Sequence, residues 1–550
     1  MKPKSTININ ELNFKYKEAC STASEYYKIL DRAYNVIYPN HVPFDDKRSF
    51  RDKNIRNRTI YDTTAQIAIN DAANQIQEGL MQNKDKWFQL EYKNEYELSL
   101  DDEDYYEKVK ELQQIEKTTI AHFDRSDTAH KVINSAIKKL LISTCVIYID
   151  EGTIENPYNF IDVSLRDVVF NVDSKNEIKD IFHTLYLTEE ELKREYNYNI
   201  PNNYNQSKTI QTIKVINAYT KEFTKDGFEY TELNTFLETD MTNVIHTEYF
   251  GVSPWIIDRW ATNDNERYGI GIIMDMLGDI ELCNQAMKVQ RECTNDDYAG
   301  RFMVREGAIR SKHDPSIITN IRDTQDDFFL HQYKSKKDII VKYNSNEGHV
   351  PSSDVITPIG TSVFPIEELL KLEDKRNNIN KRLWFQPLGD INAKGEALTA
   401  TETTQRMQMF YTSHSGTMKA RSSGLMKPIV ERMLYIGAVI DVKDHNKRID
   451  IAKKIKKEIH VTFKAQLKQL DNINDLNNLL QFMQVTQQAI PPEVSIGTLN
   501  FEKQMKLLSS YLNIDASIFL TDKEKQQLMD SVSNLQPQVE PQSSEIAPAV

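Results

Sequence analysis

Cysteine is scarce in this chain of 550 residues: Cys20, Cys145, Cys283 and Cys293 are the only four. None forms a CxxC pair, so the sequence encodes neither a disulfide framework nor a zinc ribbon. A reduced, intracellular protein is the plain expectation. Long apolar runs are also missing. The longest, around residues 140–149, is too short to span a bilayer and contains Ser143 and Thr144. No apolar stretch follows Met1 to Thr6, so no secretory signal is expected. Positive charge is in deficit: 68 Lys and Arg stand against 81 Asp and Glu, a formal net charge of −13. A protein that grips phosphates over a broad surface is expected to be basic, so any contact with DNA should be weak, local or sliding.

The common catalytic signatures are absent too. No GxxxxGK[ST], GxSxG, HExxH or EF-hand loop occurs. Gly269-Ile270-Gly271 precedes a helix, but Met274 stands where a dinucleotide fingerprint needs its third glycine. Cys283 and Cys293 have no neighbouring histidine and read as buried thiols. His313, His331 and His349 fit no zinc spacing. Asp275 and Asp279, one helical turn apart, read as a solvated face rather than a carboxylate pair. No enzyme activity, cofactor or metal is expected.

What is present is a sequence of helices and strands that predicts an α+β protein, mostly helical. Leu12, Tyr16, Ala19, Ala23, Tyr26, Leu30, Ala33 and Ile37 form a seam of heptad spacing, best read as a helix packed on its own domain. Ala65, Ala68, Ala72, Ile76 and Leu80 mark a second helix whose small residues permit close packing. Residues 87–90 read as a strand, 101–123 and 128–141 as helices, and 145–149 as a strand. Strands over 163–172 and 178–187 are expected to pair around Asp173-Ser174-Lys175-Asn176. A short helix over 189–196 and a meander over 209–249 with Gly227 at a turn follow. Ile273, Met276, Leu277, Ile280, Cys283 and Met287 lie on one face of a long helix. Residues 300–358 are shorter, β-prone pieces. Residues 459–463 read as a strand returning to the first domain, and three helices are expected between 470 and 532.

The stretch 363–439 organises the chain. A helix opens at Pro365 and ends near Phe385, with Glu367 and Glu368 in its first turn and Lys381 and Arg382 in its last, as the helix dipole favours. A loop from Gln386 to Leu398 follows, longer than helix connections usually are. Thr399-Ala400-Thr401-Glu402 is a capping box for a long second helix. Pro428 predicts a kink in that helix, and Gly416 and Gly424 suggest close approach of a neighbouring helix.

Three stretches carry a resemblance. Arg58-Thr59-Ile60-Tyr61-Asp62-Thr63-Thr64-Ala65-Gln66 leads through a helix to Trp87-Phe88-Gln89-Leu90. Pro254-Trp255 and Arg259-Trp260 lead to Glu266-Arg267-Tyr268-Gly269-Ile270-Gly271, then to Leu277-Gly278-Asp279-Ile280 and Asn284. Leu398 to Glu402 opens the long helix. In this order the chain resembles the portal, or head-to-tail connector, protein of short-tailed, podovirus-type bacteriophages. The resemblance spans about residues 55–440.

The resemblance implies a portal fold. Residues 1–269 would be the wing, 270–299 the first stem helix, 300–358 the clip and 359–385 the second stem helix. Residues 386–398 would be the tunnel loop, 399–440 a kinked helix returning to the wing, 441–469 a wing strand, 470–534 a helical crown and 535–550 a disordered tail. It implies a homo-oligomeric ring of about twelve copies at one capsid vertex, assembled in the host cytoplasm and carried in the virion. Double-stranded DNA would pass through during packaging and ejection, unread in sequence. Major capsid and scaffolding proteins, the terminase and tail adaptor proteins would be partners, with no membrane segment. The clip would make subunit, terminase and tail contacts through Arg301, Arg305, Arg310, Lys312, Arg322, Lys334, Lys336 and Lys337. The tunnel loop residues Gly389, Asp390, Ile391, Asn392, Ala393, Lys394, Gly395 and Glu396 would face DNA, Lys394 being the phosphate contact. An acidic ring repels the phosphate backbone on average, which favours passage over capture. A helical adaptor or scaffold without a channel is the alternative; a nuclease or hydrolase is a third class.

Overall fold

The first helix, α1 (Ile9–Ile37), buries Leu12, Tyr16, Ala19, Ala23, Leu30, Ala33 and Ile37, and its half-turn neighbours Tyr27 and Tyr34. It packs on its own chain: the Tyr27 hydroxyl donates to Leu165 O at 2.8 Å, and Asn171 Nδ2 donates to Lys15 O at 3.0 Å. The heptad seam is therefore an internal face. The structure, a computed structural model, describes residues 9–38, 44, 60–81, 86–93, 105–198, 212–224, 227–238, 243–262, 266–299, 301–305, 340–343, 356–359, 366–383, 414–442, 444–463 and 481.

Helix α2 (Thr64–Leu80) buries its alanine stripe against α4 (Ala129–Ile142), which lies after α3 (Tyr105–Arg125). Strand β1 (Phe88–Tyr92) precedes α3. Three antiparallel sheets build the body. Strand β2 (Thr144–Glu151) is central between β3 (Tyr158–Asp162) and β9 (Trp255–Arg259). Cys145, Val146, Ile147 and Ile149 in β2 are buried. A five-stranded meander runs in order from β4 (Val168–Val172) through β5 (Ile178–Leu187), β6 (Ile213–Phe223) and β7 (Glu229–Leu237) to β8 (His246–Phe250). Helix α5 (Glu189–Tyr196) interrupts it, capped reciprocally by Thr188 and Glu191. The β4–β5 turn forms where it is expected. Asp173 Oδ1 accepts from Lys175 N and Glu177 N, both at 2.9 Å, and Asn176 takes the left-handed region at φ 62°.

Several expectations need correction. Residues 163–167 are not strand: Asp167 N donates to Ser164 O at 3.0 Å in a turn between β3 and β4. The helix after Gly271 is not continuous. A short α6 (Ile272–Asp275) stops at Met276, and α7 (Leu277–Ala299) restarts there. Beyond it, β10 (Arg301–Arg305) lies between β11 (Ile340–Tyr343), to which it is parallel, and β12 (Ile356–Ile359), to which it is antiparallel. Helix α8 (Ile366–Arg382) packs on α7 and α2 through buried Leu372 and Ile379. Residues 414–421 are helical, Ser422–Met426 form a π-helical turn, and α9 (Lys427–Val439) follows. An unforeseen helix, α10 (His445–Glu458), then leads into β13 (Ile459–Phe463). That strand does return to the first region, where among the described residues it pairs with β1 as a two-stranded sheet.

Apart from the helical Gln481, the helices foreseen after residue 470 lie outside the described residues, as do the tail, the capping box at Thr399 and Pro365. No helix among the described residues is long and apolar enough to cross a membrane.

Candidate functional site

Of the residues singled out from sequence, Gly389 to Glu396 lie outside the described residues, as do Arg310, Lys312, Arg322, Lys334, Lys336 and Lys337. Arg301 and Arg305 open and close β10, in register with Ile359 and Tyr343 respectively. Pro428 sits in the first turn of α9, directly after the π turn. Proline has no N–H for the carbonyl four residues back, Gly424, so an interrupted α pattern belongs at this place.

What the structure does bring together is the first two motif stretches with the later helices, at two attachments. The first roots α7 and α8 on the body. Asn284 of α7 offers its Oδ1 to two backbone donors, Tyr61 N at 2.7 Å and Asp62 N at 3.2 Å. Asp62 Oδ1 in turn accepts from Thr64 N at 2.9 Å and so satisfies an orphan donor of α2. Its Oδ2 pairs with Arg376 of α8 at 2.9 Å. Burial would push the Asp62 carboxyl up, but the Thr64 hydrogen bonds and the Arg376 guanidinium together hold it below its ordinary value. Lys375–Asp279 at 2.6 Å joins α8 to α7, and Arg32–Glu281 at 2.8 Å joins α1 to α7. Asp279 is therefore a tie between helices, and Asp275 is exposed.

The second attachment fixes the long helix. Arg421, just ahead of the π turn, pairs with Asp258 of β9 at 2.7 Å. It also donates to Arg259 O at 3.0 Å and Trp260 O at 2.9 Å, with its guanidinium 5.1 Å from the Trp260 ring centroid. Burial pushes the Asp258 carboxyl up to about 6, against the pull of Arg421. A Cβ on Gly424 would lie 2.6 Å from Asp258 Oδ1, so the glycine of the π turn is what lets the helix approach. The predicted close approach is thus to a strand. Gly416 faces open space. About two turns beyond Gly424, Arg432 is fully buried, donating to Ile149 O at 3.2 Å and Val252 O at 3.0 Å between the rings of Phe250 and Tyr435.

The stretch between these attachments turns on backbone contacts. Gly269 N donates to Thr144 Oγ1 at 2.9 Å, Gly271 N donates to Ile142 O at 3.1 Å, and Tyr268 stacks on Tyr26 at 4.7 Å. A Cβ on Gly271 would meet Leu141 O at 2.3 Å. The glycines that fail a nucleotide fingerprint are there to pass the C-terminal end of α4. Arg267 reaches Asn171 Oδ1 at 2.7 Å and pairs with Glu18.

Burial raises the Cys145 thiol to about 12, the reverse of a reactive thiol, and lowers His183 to about 4. Among the described residues no group of three or more His, Cys, Asp or Glu could hold a metal. The geometry is mechanical: two attachments that set the angle of three long helices against a β-rich body. Sequence reasoning missed Arg376, Asp258, Arg421 and Arg432, because their partners lie far away along the chain.

A family model described as bacteriophage head to tail connecting protein matches residues 10–520. Among solved structures, a chain from the virion of a native gene transfer agent particle is 10% identical at a TM-score of 0.34, over 87% of this chain and 92% of that one. A chain from the neck of an empty gene transfer agent particle is 10% identical at 0.32, over 87% and 93%. Superposition this loose transfers no residue or partner to the present chain. No curated protein matches.

Proposed function

Because the chain belongs to the bacteriophage head-to-tail connecting protein family, we propose that it is the subunit of a portal ring of the short-tailed type, set at one capsid vertex of the virion. In this reading the β-rich body is the wing, and α7 and α8 are the stem. The sheet of β10, β11 and β12 belongs to the clip. The observation that carries the assignment is the rooting of both stem helices on the body through Asn284, Asp62 and Arg376, within the family match. Helices rooted in this way can line a channel, and a net charge of −13 per copy keeps a passing duplex from sticking.

Among the described residues, β11 and β12 each pair on one side only, and so small a sheet is expected to complete itself against a neighbouring copy. The terminase and then tail adaptors would dock there, using the basic residues Arg301 to Lys337. Residues 386–398 are the tunnel loop, a lip that touches DNA loosely through Lys394. No catalytic role is assigned.

The loop assignment has a direct test. Replacing Asp390 to Glu396 with a short Gly-Ser link should leave ring assembly intact, since the stem and clip are untouched, and should impair packaging or retention of DNA in the capsid. Full-length DNA packaged and retained as in the parent would reduce the loop to a connector.

A further inference from the structure

Among the described helices, α10 carries the largest excess of positive charge. Its fourteen residues carry six Lys and Arg against Asp450 and Glu458. Lysines in a last turn answer the helix dipole, which accounts for Lys456 and Lys457. It does not account for Lys447, Lys453 and Lys454, which lie earlier. The helix is tied down on its inner side. Ala452 is fully buried, Ile451 and Ile455 are half-buried, and Arg448 pairs with Glu151 at 2.9 Å while donating to Val442 O at 2.6 Å. Lys453 and Lys456 rest their Nζ atoms over the Phe228 ring, at 5.9 and 5.5 Å. The outer face is left to Lys447, Asp450, Lys454 and Lys457, all exposed, and the exposed Lys93 joins it by donating from its Nζ to Lys456 O.

We propose that this outer face of α10 is a landing surface for duplex DNA outside any channel, held through the phosphates. The choice of partner follows from what the face contains. Every apolar residue of α10 is at least half-buried, so the exposed face has no apolar centre. Protein interfaces are depleted in lysine at their core and need such a centre, whereas backbone readers of nucleic acid need only spaced cations. From Lys447 to Lys457 the helix rises about 15 Å, a length over which a duplex presents several phosphates. Neighbouring acids limit the patch without cancelling it. Asp441 and Asp444 flank the helix start. Glu177, Glu229 and Glu431 share with Lys221, Lys427 and Lys456 a groove of about 900 Å³ on the side away from the exposed lysines. The inference stands on α10 alone and goes beyond the portal reading; a chain that formed no ring would still have this face.

A closed circle separates this surface from a channel, because a covalently closed duplex cannot thread a ring. The full-length protein is titrated into a fluorescent closed minicircle and a linear duplex of the same length, from 50 to 200 mM salt. Both should bind, with a log–log salt slope of about −0.9 per phosphate contact. The triple variant Lys447→Gln, Lys454→Gln, Lys457→Gln should bind the minicircle about tenfold more weakly at low salt, with a slope shallower by about 2 to 3. Circular dichroism checks its fold, and Lys447→Arg, Lys454→Arg, Lys457→Arg should restore binding. Failure of the parent to bind the minicircle, equal binding by the neutralised variant, or equal displacement by polyglutamate of matched charge would each overturn the assignment.

Discussion

The two attachments hold helices to the same body by different means. At the root of α7 and α8, Asp62 is buried but its partner Arg376 is 32% exposed in its side chain, and the Lys375–Asp279 and Arg32–Glu281 pairs are wetter still. At the long helix, Arg421 and Asp258 are 7% and 10% exposed, and Arg432 is wholly inside. Water and salt soften the first set, so its geometry can be adjusted at small cost. The second set is shielded, and losing one partner strands a charge. The contrast suggests an adjustable joint beneath the paired helices and a rigid anchor where the long helix enters the body.

Breaking the anchor should have the largest effect. Arg421→Ala takes the paired cation from buried Asp258 and one donor each from the Arg259 and Trp260 carbonyls, and should destabilise by about 3–5 kcal/mol. A fall in the urea midpoint measures it; a loss under about 1 kcal/mol would place the pair in water. Next comes the π turn. Gly424→Ala drives a methyl into the Asp258 carboxylate and should lose about 1–3 kcal/mol.

The joint should respond less, and with its own pH signature. Arg376→Gln should lose about 1–2 kcal/mol after discounting for solvent. Asp62 has a lowered folded value, so its contribution is present above the unfolded carboxylate range and disappears as pH falls through the folded value. Asp258 runs the other way. With a folded value of about 6 it binds a proton before its unfolded form does, so stability declines as pH rises from about 4 to about 6. Urea midpoints between pH 3 and 7 should therefore show a smaller acid-side drop in Arg376→Gln and a smaller decline toward neutral pH in Asp258→Asn than in the parent. Identical profiles for both variants and the parent would erase the distinction. The smallest change is a gain: Gly416→Ala, on an open helical face, should add about 0.5–1 kcal/mol.

What could be read in the sequence was local. The α1 seam, the α2 alanine stripe and the Asp173–Asn176 turn follow from spacing and side-chain chemistry within a few residues. Pro428 marked the place where the helix changes pattern, while the π turn itself needed the tertiary approach of Asp258. The bend remains a proposal. The attachments were illegible for a physical reason: Asp62 and Arg376 lie 314 positions apart, and Asp258 and Arg421 lie 163 apart. No periodicity signals such pairs. Helix α10 was hidden by its lysines, which dilute the apolar stripe of Ile451, Ala452 and Ile455. The tunnel-loop and most clip assignments rest on the family resemblance, since those residues lie outside the described ones.

Single-particle electron microscopy of the purified full-length protein tests the central claim most directly. The account predicts closed rings with a central hole wide enough to admit a duplex, the α7 and α8 pairs lining it and the β-rich bodies outside. Monomers, open arcs or solid particles under conditions where the chain is folded would contradict it and leave an adaptor without a channel.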